Sequence, residues 1–344
     1  MLKLSINIPT YNRDTFLAKN LDIIASQMRE DNLVDKVEIN VSNNASTDKT
    51  VEVLSSFKKN NSDIQFSFVT NATNIGPDLN FIQAMNMAKG EYSILFGDDD
   101  FFEPHAIKTM LTLIESNREV SLFLSNRIVI NEKDEFVRKQ KFMSELQNSE
   151  IFDFSNYKDA RAYFSSVSDL GGLLTFISSV MYKSSIIEEV GKYNDECTGS
   201  CYSFLYYWWS ALAGGKKIMY SDAYYVRATT IGVTNNNYGD GLKRLLVDTE
   251  GLSTIANNTF VKEAYIFKPL FFSSLRNSIP LARISSSFFS ASESDRQRLV
   301  SSLKACEYSE SDIKRIEYLM TDRVAIKVLL RKYMPSFISR KINI

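Results

Sequence analysis

Histidine is nearly missing from this chain, with His105 alone among 344 residues, and the three cysteines, Cys197, Cys201 and Cys306, form no paired framework. Those shortages remove the usual ligands of a zinc site, because the Cys197/Cys201 spacing has no further Cys or His to complete four-coordination. They also fit a reducing compartment better than a secreted disulfide scaffold. Charge of one sign is lacking too: 40 basic and 41 acidic residues leave a formal net charge of -1, so nothing global points to nucleic acid. Long apolar runs are scarce. The opening "MLKLSINIPTYNRD" alternates apolar and polar residues without a signal-peptide core, and the apolar run from Leu170 to Tyr182 falls short of the roughly 20 residues a spanning helix needs. The expectation is a cytoplasmic protein.

What is present reads as alternating strand and helix over the first 130 residues. Leu2, Leu4, Ile6 and Ile8 recur at period two, as do Val37, Ile39 and Val41, then Ile64, Phe66 and Phe68, while "YSILF" at 92–96 suits a strand buried on both faces. Between them Leu17, Leu21, Ile24 and Met28 form a helical stripe, Leu79, Ile82 and Met85 a second, and Ile107, Met110, Leu111 and Ile114 a third after Pro104. This βαβαβαβ order predicts a mostly parallel sheet covered by helices, the α/β class. In such sheets ligands bind outside the carboxyl ends of the strands. Four polar loops fall there: 9–13, 42–50, 70–78 and 97–100. The charged stretch 131–141 reads as a solvated hairpin or loop of little chemical consequence, and the chain from about 240 reads as helical.

The loop after the fourth strand is the unusual one, "LFGDDDFFEP" at 95–104. Adjacent carboxylates repel, each unit pair at about 4 Å costing on the order of 1 kcal/mol even in water. A single aspartate could cap the next helix, where negative charge is favourable. Three at the end of a buried strand, beside three other polar loops, suggest a hard divalent cation, Mg²⁺ or Mn²⁺, which takes oxygen ligands and commonly binds one or two carboxylates plus substrate phosphates.

"SINIPTYNR", "VSNNASTDKT", "TNIG", "GEYSILFGDDD" and Pro104, in that order over residues 1 to about 125, resemble the nucleotide-sugar-binding half of family 2 glycosyltransferases of the GT-A fold, of the bacterial O-antigen or capsule type. A looser likeness continues through "SSVMYKSSIIEEVGKYNDE" at 178–196, similar to the family's acceptor-side segment. The resemblance implies a Rossmann-like sheet with residues 1–130 as the nucleotide-sugar half, 131–235 as the acceptor half, and 236–344 as a helical C-terminal region. It implies that Pro9 and Tyr11 pack on the nucleobase, that Asn43 and Asn44, with Asp48 in the same loop, bind the donor, and that Asn74 and Gly76 shape the loop beside it. Asp98 would face the ribose, Asp99 would be the principal metal ligand, and Asp100 would contact metal or donor sugar. Arg13 could pair with phosphate or stand as a surface arginine.

Two departures from the family stand out. Family members usually carry an aspartate in the pair that here is Asn43/Asn44; an asparagine amide can serve uracil, thymine or cytosine, with uridine still favoured. The family's general base, commonly an acidic residue opening the helix before "GGKKIMY", falls near Ser203, which is no base at neutral pH. Asp169 and Asp195 are the nearest carboxylates, Asp195 with a structural reading beside the catalytic one. The aromatic cluster from Tyr202 to Trp209 admits sugar stacking, with Tyr202 and Trp208 as acceptor contacts, or plain core packing. Near the C-terminus Ile326, Leu329, Leu330 and Tyr333 share one helical face and Arg323, Lys327 and Arg331 another, followed by Lys332, Arg340 and Lys341. Such a helix can pack on the protein or lie on an anionic membrane.

The expected activity is inverting, metal-dependent transfer of a monosaccharide from a nucleotide diphosphate sugar to a lipid-linked glycan, on the inner face of the cell membrane. The competing readings are a catalytically inactive nucleotide-sugar or glycan-binding protein, which the missing acid near Ser203 keeps open, and a nucleotidyltransferase, against which "PTYNRDTF" lacks a Gly- and Lys/Arg-rich phosphate loop.

Overall fold

The computed structural model describes residues 2–131, 133–144, 146, 148–229, 241–289 and 291–318. The basic amphipathic stretch carrying Arg323, Lys327, Arg331, Lys332, Arg340 and Lys341 lies outside the described residues, as does the expected boundary near 235. The parallel half runs β1 (Leu4–Thr10), α1 (Asp14–Glu30), β2 (Val37–Asn43), α2 (Thr50–Asn60), β3 (Gln65–Thr70), α3 (Pro77–Asn86), β4 (Tyr92–Leu95), the short β5 (Phe101–Phe102) and α4 (Ala106–Ser116). The second half adds β6 (Leu122–Ile130), β7 (Phe136–Gln140), β8 (Glu150–Asp153), α5 (Tyr157–Ser166), β9 (Val180–Lys183), α6 (Ile186–Val190), α7 (Phe204–Ala213) and β10 (Lys217–Thr229). Helices α8 (Gly241–Thr259), α9 (Lys268–Ser278), α10 (Leu281–Phe289), α11 (Glu293–Ala305) and α12 (Glu310–Tyr318) follow.

The strands join one sheet in the order β3-β2-β1-β4-β9-β6-β10-β5, with β7 beside β6 and β8 beside β10. The first four are mutually parallel, β9 is antiparallel to both neighbours, and β6 and β10 are again parallel. This is the α/β architecture expected, mixed rather than purely parallel beyond β4. Because β1 has β2 on one side and β4 on the other, the connections leaving their carboxyl ends diverge and open a crevice there.

The stripes of α1 and α4 face the sheet as their periodicity predicts: Leu17, Leu21, Ile24, Met28, Ile107, Met110, Leu111 and Ile114 are all buried. The α3 stripe does so only in part: Met85 is buried and Ile82 packs against the core. Leu79 is 38% exposed while Asp78 and Asn80 are buried, because Asn80 bonds Ser42 through both ends of its amide and Asp78 caps a distant loop. Nor do the aromatics of α7 form a sugar platform. Trp208 and Trp209 are fully buried, and Trp209 lies at 5.3 Å and 14° to Phe164 and at 5.5 Å to Phe271 of α9. Trp208 is therefore core and not an acceptor contact, and Tyr202, also buried, spends its hydroxyl on Asp248 at 2.6 Å.

Asp248 ties the C-terminal helices to this core. Buried in α8, it accepts from Tyr202 and pairs with Arg244 at 2.9 Å and Arg283 at 2.8 Å. Removing one member of a buried ionic network strands the others. Asp248→Ala is expected to destabilise the fold by about 3–5 kcal/mol, read as a lower denaturant midpoint in equilibrium unfolding.

Among the described residues no helix is long and apolar enough to cross a membrane.

Candidate active site

The aspartate turn sits where the divergent connections after β1 and β4 meet. Thr10, the last residue of β1, donates its hydroxyl to Asp98 Oδ2 at 2.7 Å, and Asp98 is 7% exposed. Arg13, opening α1, pairs with Asp99 and reaches Asp98 Oδ1 at 3.8 Å. Asp100, also buried, receives the Ser178 hydroxyl, and Ser178 in turn accepts from the Gly97 amide at 2.9 Å. Asn20 of α1 closes the turn by donating to the Gly97 carbonyl at 2.9 Å. A Cβ at Gly97 would lie 2.7 Å from Asp100 Oδ2, so the turn needs glycine there. Phe101 and Phe102 anchor its far side: both are buried in β5 against β10, with Phe102 stacked on Phe96 at 4.0 Å.

The three carboxylates are held close against their own repulsion. Burial, then the charge of Asp99, push Asp98 up to about 7, opposed by Arg13 and the Thr10 hydroxyl. Burial and Asp99 likewise push Asp100 up to about 7, opposed by Ser178 and Arg127. A carboxyl raised this far in the folded chain binds its proton more tightly than in the unfolded chain. Its ionisation therefore destabilises the fold as pH climbs from about 4 through 7. Without divalent cations, Asp100→Asn is expected to gain on the parent as pH rises from about 5 to 8, because the amide has no charge to bury. The check is the gap between the two thermal midpoints across that range.

Several residues expected to touch the donor are turned inward. Pro9 is buried within β1 opposite Ser42. Asn43 is wholly buried, its Oδ1 accepting from the Ser46 amide and its Nδ2 donating to Thr70. Asn44 braces the loop after β3, donating to Asn74 Oδ1 and the Gly76 carbonyl and accepting from the Ile75 amide. The pair therefore braces its own loop and the loop after β3, and both amides are engaged within the protein. Asp48 caps α2 through Thr50 and ties in the Asp14 amide; burial raises its pKa, but these bonds outweigh it and leave it lowered. Asn74 bonds the Gly76 amide, and Gly76 takes a left-handed φ of 83° that favours glycine. Of the residues expected at the donor, Tyr11, Asp48 and Asn74 are exposed, and Arg13, half-buried, stands at Asp99.

On the acceptor side, the position near Ser203 is structural. Ser203 is buried, its amide and hydroxyl both bonded to Asp78 at 3.0 Å, and Asp78 also collects the amides of Gly199 and Cys201. Asp195 does not fit a catalytic base: its side chain is 79% exposed and its ion pair is with Lys192. Asp169 is half-buried, accepting from the Gly171 amide at 2.9 Å and from Gln140 Nε2 at 2.8 Å. Its charge and that of Asp100 both act on Arg127, whose Nε donates to the same Gln140 that donates to Asp169. Thr10, Ser178, Asp78, Gln140 and Arg127 carry no local signal in the sequence. They reach the site over long chain separations, and Gln140 does so from β7, which pairs antiparallel with β6 as the exposed hairpin that its charged composition allows.

Among the described residues no three His, Cys, Asp or Glu side chains enclose a metal. The oxygen donors fit a hard cation nonetheless, because such an ion needs only one or two carboxylates beside a diphosphate. Burial and the Asp99 charge raise the pKa of Asp98 and of Asp100, an unfavourable ionisation that a bound cation would offset.

Residues 5–182 match the sequence model described as Glycosyl transferase family 2. Among curated proteins, the abequosyltransferase RfbV of Salmonella typhimurium is 31% identical over 180 residues, 52% of this chain and 52% of its own length. A GalNAc(5)-diNAcBac-PP-undecaprenol beta-1,3-glucosyltransferase of Campylobacter jejuni is 28% identical over 165 residues, 44% of this chain and 51% of its own. The chain thus spans about half the length of the curated relatives it matches. Among solved structures, residues 1–349 of S. aureus TarS superpose with a TM-score of 0.61 at 16% identity, covering 96% of this chain and 87% of that one. A mannosyltransferase from Pyrobaculum calidifontis, solved with GDP-Man and Mn2+, gives 0.55 at 16% identity over 96% and 88%. At such identities the likeness is one of fold. The family match runs from β1 through the aspartate turn to Ser178 and into β9, so the residues that build the crevice are the ones it covers, and the chain, on a GT-A-like fold, belongs to glycosyl transferase family 2.

Proposed function

We propose that this enzyme moves a monosaccharide, with inversion, from a nucleotide diphosphate sugar to a hydroxyl of a lipid-linked glycan in surface polysaccharide synthesis, with Mg²⁺ or Mn²⁺ and with uridine the favoured base. The observation that carries it is the Asp98-Asp99-Asp100 turn at the sheet's switch point, where three adjacent carboxyl groups, two of them buried, are gathered by Thr10, Arg13 and Ser178. Asp99, backed by Asp100 and Asp98, would hold the cation, which when bound supplies charge neutralisation at the departing diphosphate. Arg13 already stands at Asp99, and its guanidinium fork suits a phosphate. Tyr11 offers an exposed ring to the base. Asp169, oriented by Gln140 and the Gly171 amide, takes the proton of the acceptor hydroxyl; a carboxylate with one bond on each oxygen keeps lone pairs for a further donor.

The lipid-linked acceptor draws support from the undecaprenol-linked substrate in the Campylobacter relative's name. Contact with a membrane surface draws on the basic amphipathic pattern of 323–341 and on Val261, Tyr265 and Ile266, exposed beside Lys262 and Lys268. The test is incubation with radiolabelled UDP-sugars, with and without Mn²⁺, followed by solvent extraction of added bacterial membranes. Metal-dependent label in the lipid fraction is the expected result. A folded protein that neither hydrolyses nor transfers any of these donors would refute the reading.

A further inference from the structure

Two guanidinium groups, those of Arg127 and Arg138, converge on the side chain of Gln140. Arg127, on β6, lies largely enclosed by protein with part of its surface reaching solvent, its guanidinium 4.1 Å from the Phe176 ring centre and 5.8 Å from that of Phe142. Its Nε donates to Gln140 Oε1 at 3.1 Å, and Arg138 Nη2 approaches the same oxygen at 3.4 Å. One amide oxygen is thus shared by two cations. Among the described residues no carboxylate lies within ion-pair distance of Arg127: Asp100 is held by Ser178, and Asp169 by Gln140 and Gly171. Burial pushes the Arg127 pKa down; the charges of Asp100 and Asp169, beyond ion-pair distance, oppose this, and Arg138 and Arg244 add smaller like-charge contributions. Desolvating a guanidinium among other guanidiniums is unfavourable unless something anionic completes the set.

We propose that Arg127, stacked on Phe176 and steadied by Gln140, is the centre of an anion subsite that receives a phosphate or carboxylate group of the bound substrates. This deepens the transferase reading and rests on it for the identity of those substrates. The stacked guanidinium has lost much of its rotational freedom, and its planar fork matches the geometry of two oxygens of one anion. Gln140 joins this subsite to Asp169, so an anion at Arg127 would be registered beside the carboxylate proposed to take the acceptor proton. Two sources carry the required chemistry: the diphosphate of the donor and an acidic group on the acceptor glycan.

The experiment is calorimetric titration of the full chain with inorganic pyrophosphate in the presence of a chelator, so that its outcome does not depend on a metal at the aspartates. Arg127→Gln, Arg127→Lys and Phe176→Leu are compared with the parent, with thermal midpoints as the folding control. The parent should bind pyrophosphate, and Arg127→Gln should weaken that binding about tenfold or more, the usual scale for a charge-assisted hydrogen bond. Lysine should restore part of it. Phe176→Leu, which keeps the charge and removes the stacking face, should lose less than Arg127→Gln. A second titration, UDP with Mn²⁺, separates the sources: weaker UDP binding in Arg127→Gln assigns the donor diphosphate, and unchanged UDP binding assigns an acceptor anion. Pyrophosphate binding that is equal in the parent and Arg127→Gln, or absent from the folded parent, would overturn the proposal. Failure of UDP to bind while pyrophosphate binding still depends on Arg127 would count against the donor assignment and not against the subsite.

Discussion

Asp99→Ala is expected to lower metal-dependent nucleotide affinity by at least about 100-fold, the upper range seen even when a residue that merely supports a metal ligand is lost. The expectation follows from the division of labour in the turn. Asp98 and Asp100 are buried and occupied by Thr10 and Ser178, whereas Asp99 is held by the one cationic side chain of the turn, Arg13. In the metal-free protein Arg13 neutralises the carboxylate that the divalent ion would use. The complementary substitution follows: Arg13→Ala should let Mn²⁺ bind more tightly without nucleotide, because nothing then competes for Asp99, yet weaken binding of the nucleotide by removing a phosphate partner. Calorimetry with Mn²⁺ alone and with Mn²⁺ plus nucleotide reads both effects. If Asp99→Ala bound the nucleotide and metal as the parent does, Asp99 would not be the ligand.

Asp169→Asn should reduce turnover by about 10²–10⁴-fold, the usual contribution of a positioned general base, with nucleotide affinity unchanged. Asparagine keeps the shape and can still accept from the Gly171 amide, but its amide nitrogen would face the Gln140 donor, so a thermal midpoint equal to the parent's is the control that separates a missing proton acceptor from a disturbed loop. Asp195→Asn supplies the contrast. With its side chain 79% exposed and paired only with Lys192 among the described residues, it should change turnover by less than about twofold. A rate for Asp169→Asn equal to the parent's would move the base to another group.

The parallel half of the fold was legible in the sequence because apolar spacing there is uninterrupted. The stripes of α1 and α4 fall on the sheet as written, and β1, β2 and β4 are buried throughout. Where polar side chains are buried, the same method fails. Leu79 looks like a core position and Asp78 like a surface one, yet the structure reverses them because Asp78 satisfies three backbone amides at residues 199 to 203. Asn43 and Asn44 misled for the same reason: a polar pair at a strand end reads as ligand-binding, but their amides are consumed in holding their own loop. The aspartate turn itself was readable because it is contiguous. Its partners Thr10, Arg13 and Ser178 lie 78 to 88 residues away and meet it only through the sheet order. The aromatic run of α7 shows the limit of composition, since rings suited to stacking on a sugar are equally suited to packing on Phe164 and Phe271.

The most direct test of the account is calorimetric titration of the purified protein with UDP, GDP, CDP and dTDP, each with Mn²⁺ and again with chelator. The account predicts that one nucleotide, UDP first among them, binds with Mn²⁺ and is lost with chelator, as expected if a cation between the diphosphate and the aspartate turn offsets the repulsion of three adjacent carboxylates. Binding of none of the four by a demonstrably folded protein, or binding indifferent to the metal, would contradict it and leave the turn as an acidic loop paired with Arg13.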